Sequence, residues 1–268
     1  MNSPSALRID TPAPGIARVT LARPAVRNAF DDTLIAEIDG AFRTLGARSD
    51  LRAIVLAADG PAFCAGADLH WMRRMAGYTR EENLADAGAL ARMLRTIDRC
   101  PLPTVARVQG DVYAGGVGLV AACDTAVAVD TANFCLSEVR IGLVPATISP
   151  YVIQAMGRRA AQRYFVTAER FPAAEAHRIG LVHEVVGSES LDDTVDGIVR
   201  ALAGAGPAAV RAAKRLVDEV AGRPVDDALI ARTVAGIADI RASDEGREGV
   251  QAFLQKRKPS WLAGAADV

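Results

Sequence analysis

Three stretches of the 268-residue chain hold residue types able to manage a developing negative charge and a proton. Residues 109–124, QGDVYAGGVGLVAACD, follow a short apolar strand and set two adjacent glycines where a run with helix-like apolar spacing begins. Glycine there lets the backbone approach another molecule closely, and the unpaired N–H groups of a helix's first turn carry partial positive charge. Residues 59–72, DGPAFCAGADLHWM, form a second loop rich in small residues that also leaves an apolar strand, and such a loop exposes backbone N–H groups. Downstream, Glu138 sits in the apolar segment LSEVRIGL. There the charged form of a carboxylate is disfavoured, and its pKa rises toward the range useful for proton transfer. Two N–H donors fixed on one oxygen form an oxyanion hole, and losing one costs characterised enzymes roughly 2.7 to 4 kcal/mol. With one carboxylate nearby, such donors suit chemistry through a thioester enolate. A plainer reading stands beside this one, because a Gly-Gly pair at a strand-to-helix turn also serves tight packing. Cys64 has the type of a nucleophile but no partner base at a matching spacing, so it reads as packing.

Strands must stand behind these loops and helices in front of them. Residues 16–21 read as an opening strand, followed by the polar loop ARPAVRNAF. Asp31 and Asp32 suit a helix start, and Leu34, Ile38, Phe42 and Leu45 recur at helical spacing before Gly46. Residues 52–58, RAIVLAA, follow as a buried strand. Thr79 and Glu82 match a capping box, with Leu84, Leu90, Leu94 and Ile97 on one helix face before Pro101 and Pro103. The strand TVARV, residues 104–108, feeds the glycine stretch; residues 124–130 alternate as another strand, and 132–138 read as its partner. Ser149-Pro150 is a cap and first-turn pair for a helix through Met156, closed by Gly157. Shorter helices around 159–167 and 173–178 precede the apolar segment LVHEVV. From Ser190 the pattern is helical, with breaks at 204–207, 222–224 and 243–244. Alternating strands and helices argue for an α/β fold with parallel pairing, and a boundary is placed near residue 200. Residues 1–200 then form the core that carries the site, and 201–268 a helical region.

Composition narrows the classes. Half of the residues are hydrophobic, enough for a sizeable core. Thirty-one basic against thirty-two acidic residues leave no broad electrostatic surface for nucleic acid, although a local basic cluster remains open. Cys64, Cys100, Cys123 and Cys135 show no CxxC pairing and read as reduced, buried side chains. His70, His177 and His183 lack a zinc-ligand spacing, so no metal is expected. The first twenty residues carry Pro4, Pro12 and Pro14 and lack the apolar core of a signal peptide. No apolar run approaches the roughly 18 residues of a bilayer span. A cytoplasmic protein with no membrane segment is expected.

The stretches RPAVRNAF, FCAGADLHWM, QGDVYAGGVGLVAACD, SEVRIGLVPA, AERFPAAEAHRIGLV and FLQKRKPSW, in this order, resemble the crotonase family, the enoyl-CoA hydratase/isomerase superfamily. The resemblance implies a spiral core of repeated ββα turns and a C-terminal helical region that trimerises, often as a hexamer built from two trimers. It implies no separate cofactor, coenzyme A being part of the acyl-CoA substrate. Carried over residue by residue, it puts the oxyanion donors on the backbone N–H groups of Ala67 and Gly115 and the proton-transferring carboxylate on Glu138. Backbone contacts of Ala65, Asp68, Leu69 and His70 would hold the adenine and pantetheine end of CoA. Arg27 matches the loop along the CoA phosphates, and Phe253 and Lys256 match tail residues that reach a neighbouring subunit's CoA. The plain reading of Lys256 and Arg27 is a solvated surface cation.

One departure bears on the reaction. Well-known hydratases of the family hold water between two glutamates, and where the first of them stands this chain has Gly118. Asp111 and Tyr113 are candidate substitutes whose plain reading is capping or packing. The finer pattern of AGGVGLVAACD, FCLSEVRIGLVPATISPYV and RYFVTAERF resembles a bacterial subgroup assigned as methylglutaconyl-CoA or isohexenylglutaconyl-CoA hydratases, which share this glycine. The resemblance thus implies hydration of a branched 2-enoyl-CoA bearing a second carboxylate, for which Arg140, His70, Arg73 and Arg74 are candidate partners. Two alternatives stay open: a 3,2-enoyl-CoA isomerase using Glu138 alone, and a non-catalytic CoA- or RNA-binding oligomer.

Overall fold

The computed structural model describes residues 6–262. One compact unit runs through Val199 and a second begins at Arg200. The first unit holds two sheets. The larger is six-stranded, in the order β1 (Leu7–Ala13), β2 (Ile16–Leu21), β3 (Ala53–Ala58), β5 (Thr104–Val108), β7 (Thr125–Val129) and β10 (Glu184–Val186). From β2 to β10 all neighbours are parallel. The central strands are apolar along nearly their whole length and buried on both faces, as parallel strands covered by helices require.

The smaller sheet is four-stranded, in the order β4 (Ala62–Cys64), β6 (Asp111–Tyr113), β8 (Asn133–Cys135) and β9 (Arg170–Pro172). Its first three strands are parallel and β9 runs antiparallel to β8. The chain therefore repeats one move three times: a strand in the large sheet, a turn of two or three residues, then a three-residue strand in the small sheet. After β4 come α2 (Leu69–Met75) and α3 (Arg80–Asp98), after β6 comes α4 (Gly115–Ala121), and after β8 comes α5 (Ser149–Thr167). This is the ββα spiral. Its turns stack so closely that a Cβ on Gly110 would lie 2.2 Å from the carbonyl oxygen of Pro61.

The helix starts follow from capping chemistry. The Asp31 side chain accepts from Leu34 N at 2.9 Å and opens α1 (Asp32–Gly46). Thr79 and Glu82 form the full capping box of α3. Gly157, with φ 74 and ψ 159, breaks the helical path of α5 into two segments.

Four expectations need correction. Strand β1 precedes the expected opening strand; its residues after Leu7 are exposed, so it lacks the buried alternation that marks a strand. Residues 133–135 are not the partner of β7 but belong to the second sheet, between β6 and β9, and Glu138 lies beyond the strand in a 3-10 turn, Glu138–Ile141. Leu84 departs from the apolar face of α3 and is 57% exposed. Ser149 is the first helical residue rather than the cap, and its hydroxyl donates to Ala146 O at 2.8 Å.

The second unit contains α8 (Pro207–Val220), α9 (Asp227–Ala242) and α10 (Asp244–Leu254), with α10 packed on both of the others. Glu245 of α10 accepts from the backbone N–H groups of Ala208 and Ala209 at 2.9 and 2.8 Å, capping α8. Among the described residues, no helix is long and apolar enough to cross a membrane.

Candidate active site

The parallel order β4-β6-β8 brings three loops side by side at the carboxyl ends of their strands, about 4.8 Å apart per strand. Ala67, Gly115 and Glu138 each follow one of these strands within three residues. Contacts between the first two loops are tight. A Cβ on Gly66 would lie 3.0 Å from Ala114 Cβ and 3.2 Å from Tyr113 O, and one on Gly116 would lie 2.8 Å from Cys64 Cβ. Gly66 has φ +87, so both its conformation and its neighbours require glycine. The N–H groups of Ala67 and Gly115 find no acceptor among the described residues. Ala114, just before Gly115, adopts φ 49 and ψ −123, a strained backbone for a residue with a Cβ.

Phe30 joins the two donor loops. Its N–H donates to Gly66 O at 2.9 Å and its carbonyl accepts from Asp68 N at 3.0 Å, forming a parallel bridge to Ala67. Its buried ring backs the other loop, where a Cβ on Gly115 would lie 2.2 Å from Phe30 Cζ. The stretch before Phe30 is held by Asn28, which is fully buried at φ 55. Its amide donates to Asp59 O and Ala62 O at 2.8 Å each and accepts from Arg23 N at 2.9 Å. Arg23 donates to Asp31 at 2.9 Å and to Asp68 at 3.1 Å, tying this stretch to the first donor loop. Sequence reasoning missed Phe30, Asn28 and Arg23. The one signal available was Asn28 itself, since asparagine tolerates left-handed backbone in a turn.

Glu138 opens its 3-10 turn half-buried. Its Oε2 is enclosed and without a hydrogen-bond partner among the described residues. Burial raises its pKa, opposed only by its own backbone N–H. Such an oxygen is suited to receive a proton from a bound molecule.

The position of the missing second carboxylate is filled. Gly118 is buried in α4, and a Cβ there would lie 2.3 Å from Ile148 Cγ2 and 2.8 Å from Ile148 Cβ. Asp111 accepts from the Asn133 backbone N at 3.0 Å and pairs with Arg170 at 2.8 Å, which is the plain capping role. Cys64 is buried against Gly116, and burial pushes its thiol up to about 12, as its packing role requires.

The remaining candidates are distributed as follows. Asp68 caps α2 by accepting from His70 N at 2.8 Å, and although burial opposes its charge, this bond, a second to Trp71 N and the nearby Arg23 hold its pKa low. Ala65 N donates to Arg27 O at 3.0 Å, while Leu69, His70 and the Arg27 side chain are exposed. Arg27 has φ 52, a second left-handed residue beside Asn28. Arg140 donates to Ala168 O at 2.5 Å, and Arg74 pairs with Asp32 at 2.6 Å. Phe253 and Lys256 lie in the second unit, both exposed, with Phe253 at the end of α10. Among the described residues, no group of three or more His, Cys, Asp or Glu is placed to hold a metal ion.

Two interleaved sheets fed by a ββα spiral define a crotonase-type fold. The family model for enoyl-CoA hydratase/isomerase matches residues 12–264, and the chain belongs to this family. An enoyl-CoA hydratase of Shewanella pealeana has a crystal structure that superposes with a TM-score of 0.93 at 40% identity, covering 96% of each chain. An enoyl-CoA hydratase of Alternaria alternata is 33% identical over 244 residues, covering 89% of this chain and 78% of its own length. A (7aS)-7a-methyl-1,5-dioxo-2,3,5,6,7,7a-hexahydro-1H-indene-carboxyl-CoA hydrolase of Mycobacterium tuberculosis is 35% identical over 208 residues, 78% of this chain and 82% of its own.

Proposed function

We propose that this protein is an enoyl-CoA hydratase that adds water across the 2,3 double bond of an acyl-CoA thioester, with a branched glutaconyl-type thioester as its substrate. The observation that carries this reading is the enclosed Oε2 of Glu138, unpartnered among the described residues, in the 3-10 turn after β8, on the same edge of the small sheet as the two open backbone donors that follow β4 and β6. The N–H groups of Ala67 and Gly115 hold the thioester oxygen as it gains charge. Glu138 takes a proton from water as the oxygen of that water bonds to the β carbon; the enolate then collapses and the α carbon takes the proton back from the Glu138 carboxyl. One carboxylate thus serves as base and then as acid. The donor loop at Ala65, Asp68, Leu69 and His70 lies along the CoA chain, with Arg27 at its phosphates and Phe253 and Lys256 contributed by a neighbouring subunit. No cofactor is needed beyond the coenzyme A of the substrate.

Supporting the narrower substrate are the subgroup likeness of the stretches around Gly118 and Glu138, and Arg140, which stands two residues beyond Glu138 and would pair with a distal carboxylate. A trimer or a hexamer of two trimers is supported by apolar side chains left open on the second unit, including Val234, Phe253 and Leu254 at 60%, 82% and 73% exposure. Four buried cysteines, none of them in a disulfide, suit a reducing compartment, and the cytoplasm is the proposed location.

A second reading, 3,2-enoyl-CoA isomerisation, is favoured by one feature, the replacement of a second carboxylate by Gly118 packed on Ile148. Loss of the conjugated thioester absorbance separates the two. Turnover of crotonyl-CoA or 3-methylglutaconyl-CoA is expected. Turnover of a 3-enoyl-CoA with neither of these consumed selects the isomerase, and RNA binding with a steep salt slope, without turnover, selects a non-catalytic oligomer.

A further inference from the structure

The chain as a whole is near neutral, yet one cleft of the first unit gathers four arginines. Its volume is about 720 Å3, and Arg158, Arg159, Arg163, Arg178, Tyr164 and Glu175 line it together with Gly157 and Ala160. Four arginines against one glutamate leave an excess of three positive charges in the lining. Two of the four are fixed by protein carboxylates. Arg163 pairs with Glu169 at 2.7 Å, and Arg178 grips Glu175 through Nε at 2.6 Å and Nη2 at 2.8 Å, while Tyr164 donates to the same Glu175 at 2.8 Å. Arg158 and Arg159 are exposed and have no such partner among the described residues.

Their placement runs against helix electrostatics. Because Gly157 interrupts α5, the segment from Arg158 to Thr167 begins afresh at the cleft, and its first two residues are cations at the end where positive partial charge collects. Arg159 and Arg163 are also four residues apart, so like charges share one helix face. Each feature disfavours the free protein, and both arginines are exposed. Residues that break local rules without a packing gain mark function. A bound anion relieves both conflicts at once, since the first turn of the segment and the guanidinium groups line the same cavity.

We propose that this cleft binds a phosphate-bearing small molecule, a di- or triphosphate group being the fitting charge, with Arg158 and Arg159 as its principal ligands. A small molecule rather than a nucleic acid follows from the size of the cleft, whose volume of about 720 Å3 falls within the roughly 300 to 1,000 Å3 of ligand pockets. The one aromatic ring in the lining, Tyr164, is 3% exposed and offers no face for a base to stack on.

Calorimetric titration of the full-length protein with inorganic pyrophosphate tests this, with coenzyme A present at saturation so that any phosphate subsite of the thioester is already filled. One pyrophosphate is expected per chain, with a rise in melting temperature. The R158Q/R159Q variant should bind about tenfold more weakly or worse, as loss of two charge-assisted forks implies, and lose the thermal shift. Both arginines are exposed, so the variant should fold, and its enoyl-CoA turnover should equal that of the wild type. Absence of binding by the wild type at millimolar pyrophosphate overturns the proposal. Undiminished binding by the variant does so too, as does a variant that binds normally but changes assembly size, which would assign the arginines to a subunit contact.

Discussion

Replacing Gly115 by alanine isolates the proposed oxyanion donor from every other part of the site. The added Cβ would sit 2.2 Å from Phe30 Cζ and 3.0 Å from Cε1. Carbon atoms in contact prefer about 3.5 Å or more, so roughly 1.3 Å of relief is needed. Phe30 cannot supply it readily, because its ring is 2% exposed and its backbone is bonded to Gly66 and Asp68 on either side. The Gly115 segment must therefore retreat, carrying its N–H away from the thioester oxygen. Misplacement by about 1 Å costs on the order of 100-fold, and complete loss of one oxyanion donor 100- to 1,000-fold, or about 2.7 to 4 kcal/mol. The expected result is a fall in kcat within that span, with little change in KM, measured as loss of conjugated thioester absorbance on the best substrate of an enoyl-CoA panel. Overpacking costs about 1–3 kcal/mol, which denaturant unfolding quantifies separately. Shortening the ring with F30L should return at least about tenfold of the lost kcat to G115A, because the two residues couple through one contact. Wild-type kcat in G115A, or a loss indifferent to residue 30, would refute the assignment of Gly115 as donor.

E138Q should reduce turnover by about 100- to 10,000-fold while leaving acyl-CoA binding intact, read by single-turnover kinetics and calorimetry. The same variant carries a pH signature: burial raises the Glu138 pKa, so folding takes up a proton and the wild type loses stability as pH rises through the window from the ordinary glutamate range to the raised native value. E138Q should then be more stable than wild type at pH 7, with the gap closing near pH 4; an equal gap at both values in denaturant melts would contradict the buried-charge account. N28A leaves Asp59 O and Arg23 N without their side-chain partner, while Ala62 O keeps its bond from Gln109, and should cost about 2 kcal/mol or more, with N28G about 1 kcal/mol milder because glycine accepts the left-handed backbone; equal losses would show that strain is not part of the effect. G118A should cost about 1–3 kcal/mol of stability through its clash with Ile148 while kcat per folded molecule stays within a factor of about three, and a larger kcat effect would place Gly118 closer to the chemistry.

What could be read in the sequence was what depends on neighbours along the chain. The capping box at Thr79 and Glu82, the Asp31 cap, the apolar strands β3, β5 and β7 and the helix breaks after residue 200 all rest on local chemistry and reappear in place. What could not be read was decided between distant segments. Residues 133–135 are too short to show a period, and only the spiral tells them to pair with β6 rather than β7. The same holds for β4, three residues long, whose pairing with β6 sets the two donor loops side by side. Phe30 looks like any apolar residue before a helix cap, and its importance appears only with its ring against Gly115. Arg158 and Arg159 are adjacent in the sequence, but nothing along the chain shows the cleft that they line.

Gly118 shows how the absence of a residue gains meaning from its surroundings. In the sequence it marks a missing carboxylate, which invites the idea of a vacancy that a water molecule or another side chain could fill. In the fold Ile148 occupies that space at 1% exposure, within 2.8 Å of where a Cβ would be, and Leu94 closes the far side at 3.5 Å. An apolar wall therefore stands at this position in place of a second carboxylate. Separately, burial raises the pKa of Glu138, whose Oε2 is enclosed and unpaired among the described residues. In the proposed mechanism the position that could hold a second carboxylate is apolar, so the proton must leave and return through Glu138. A single carboxylate can then run both halves of the addition, provided that water binds to it alone.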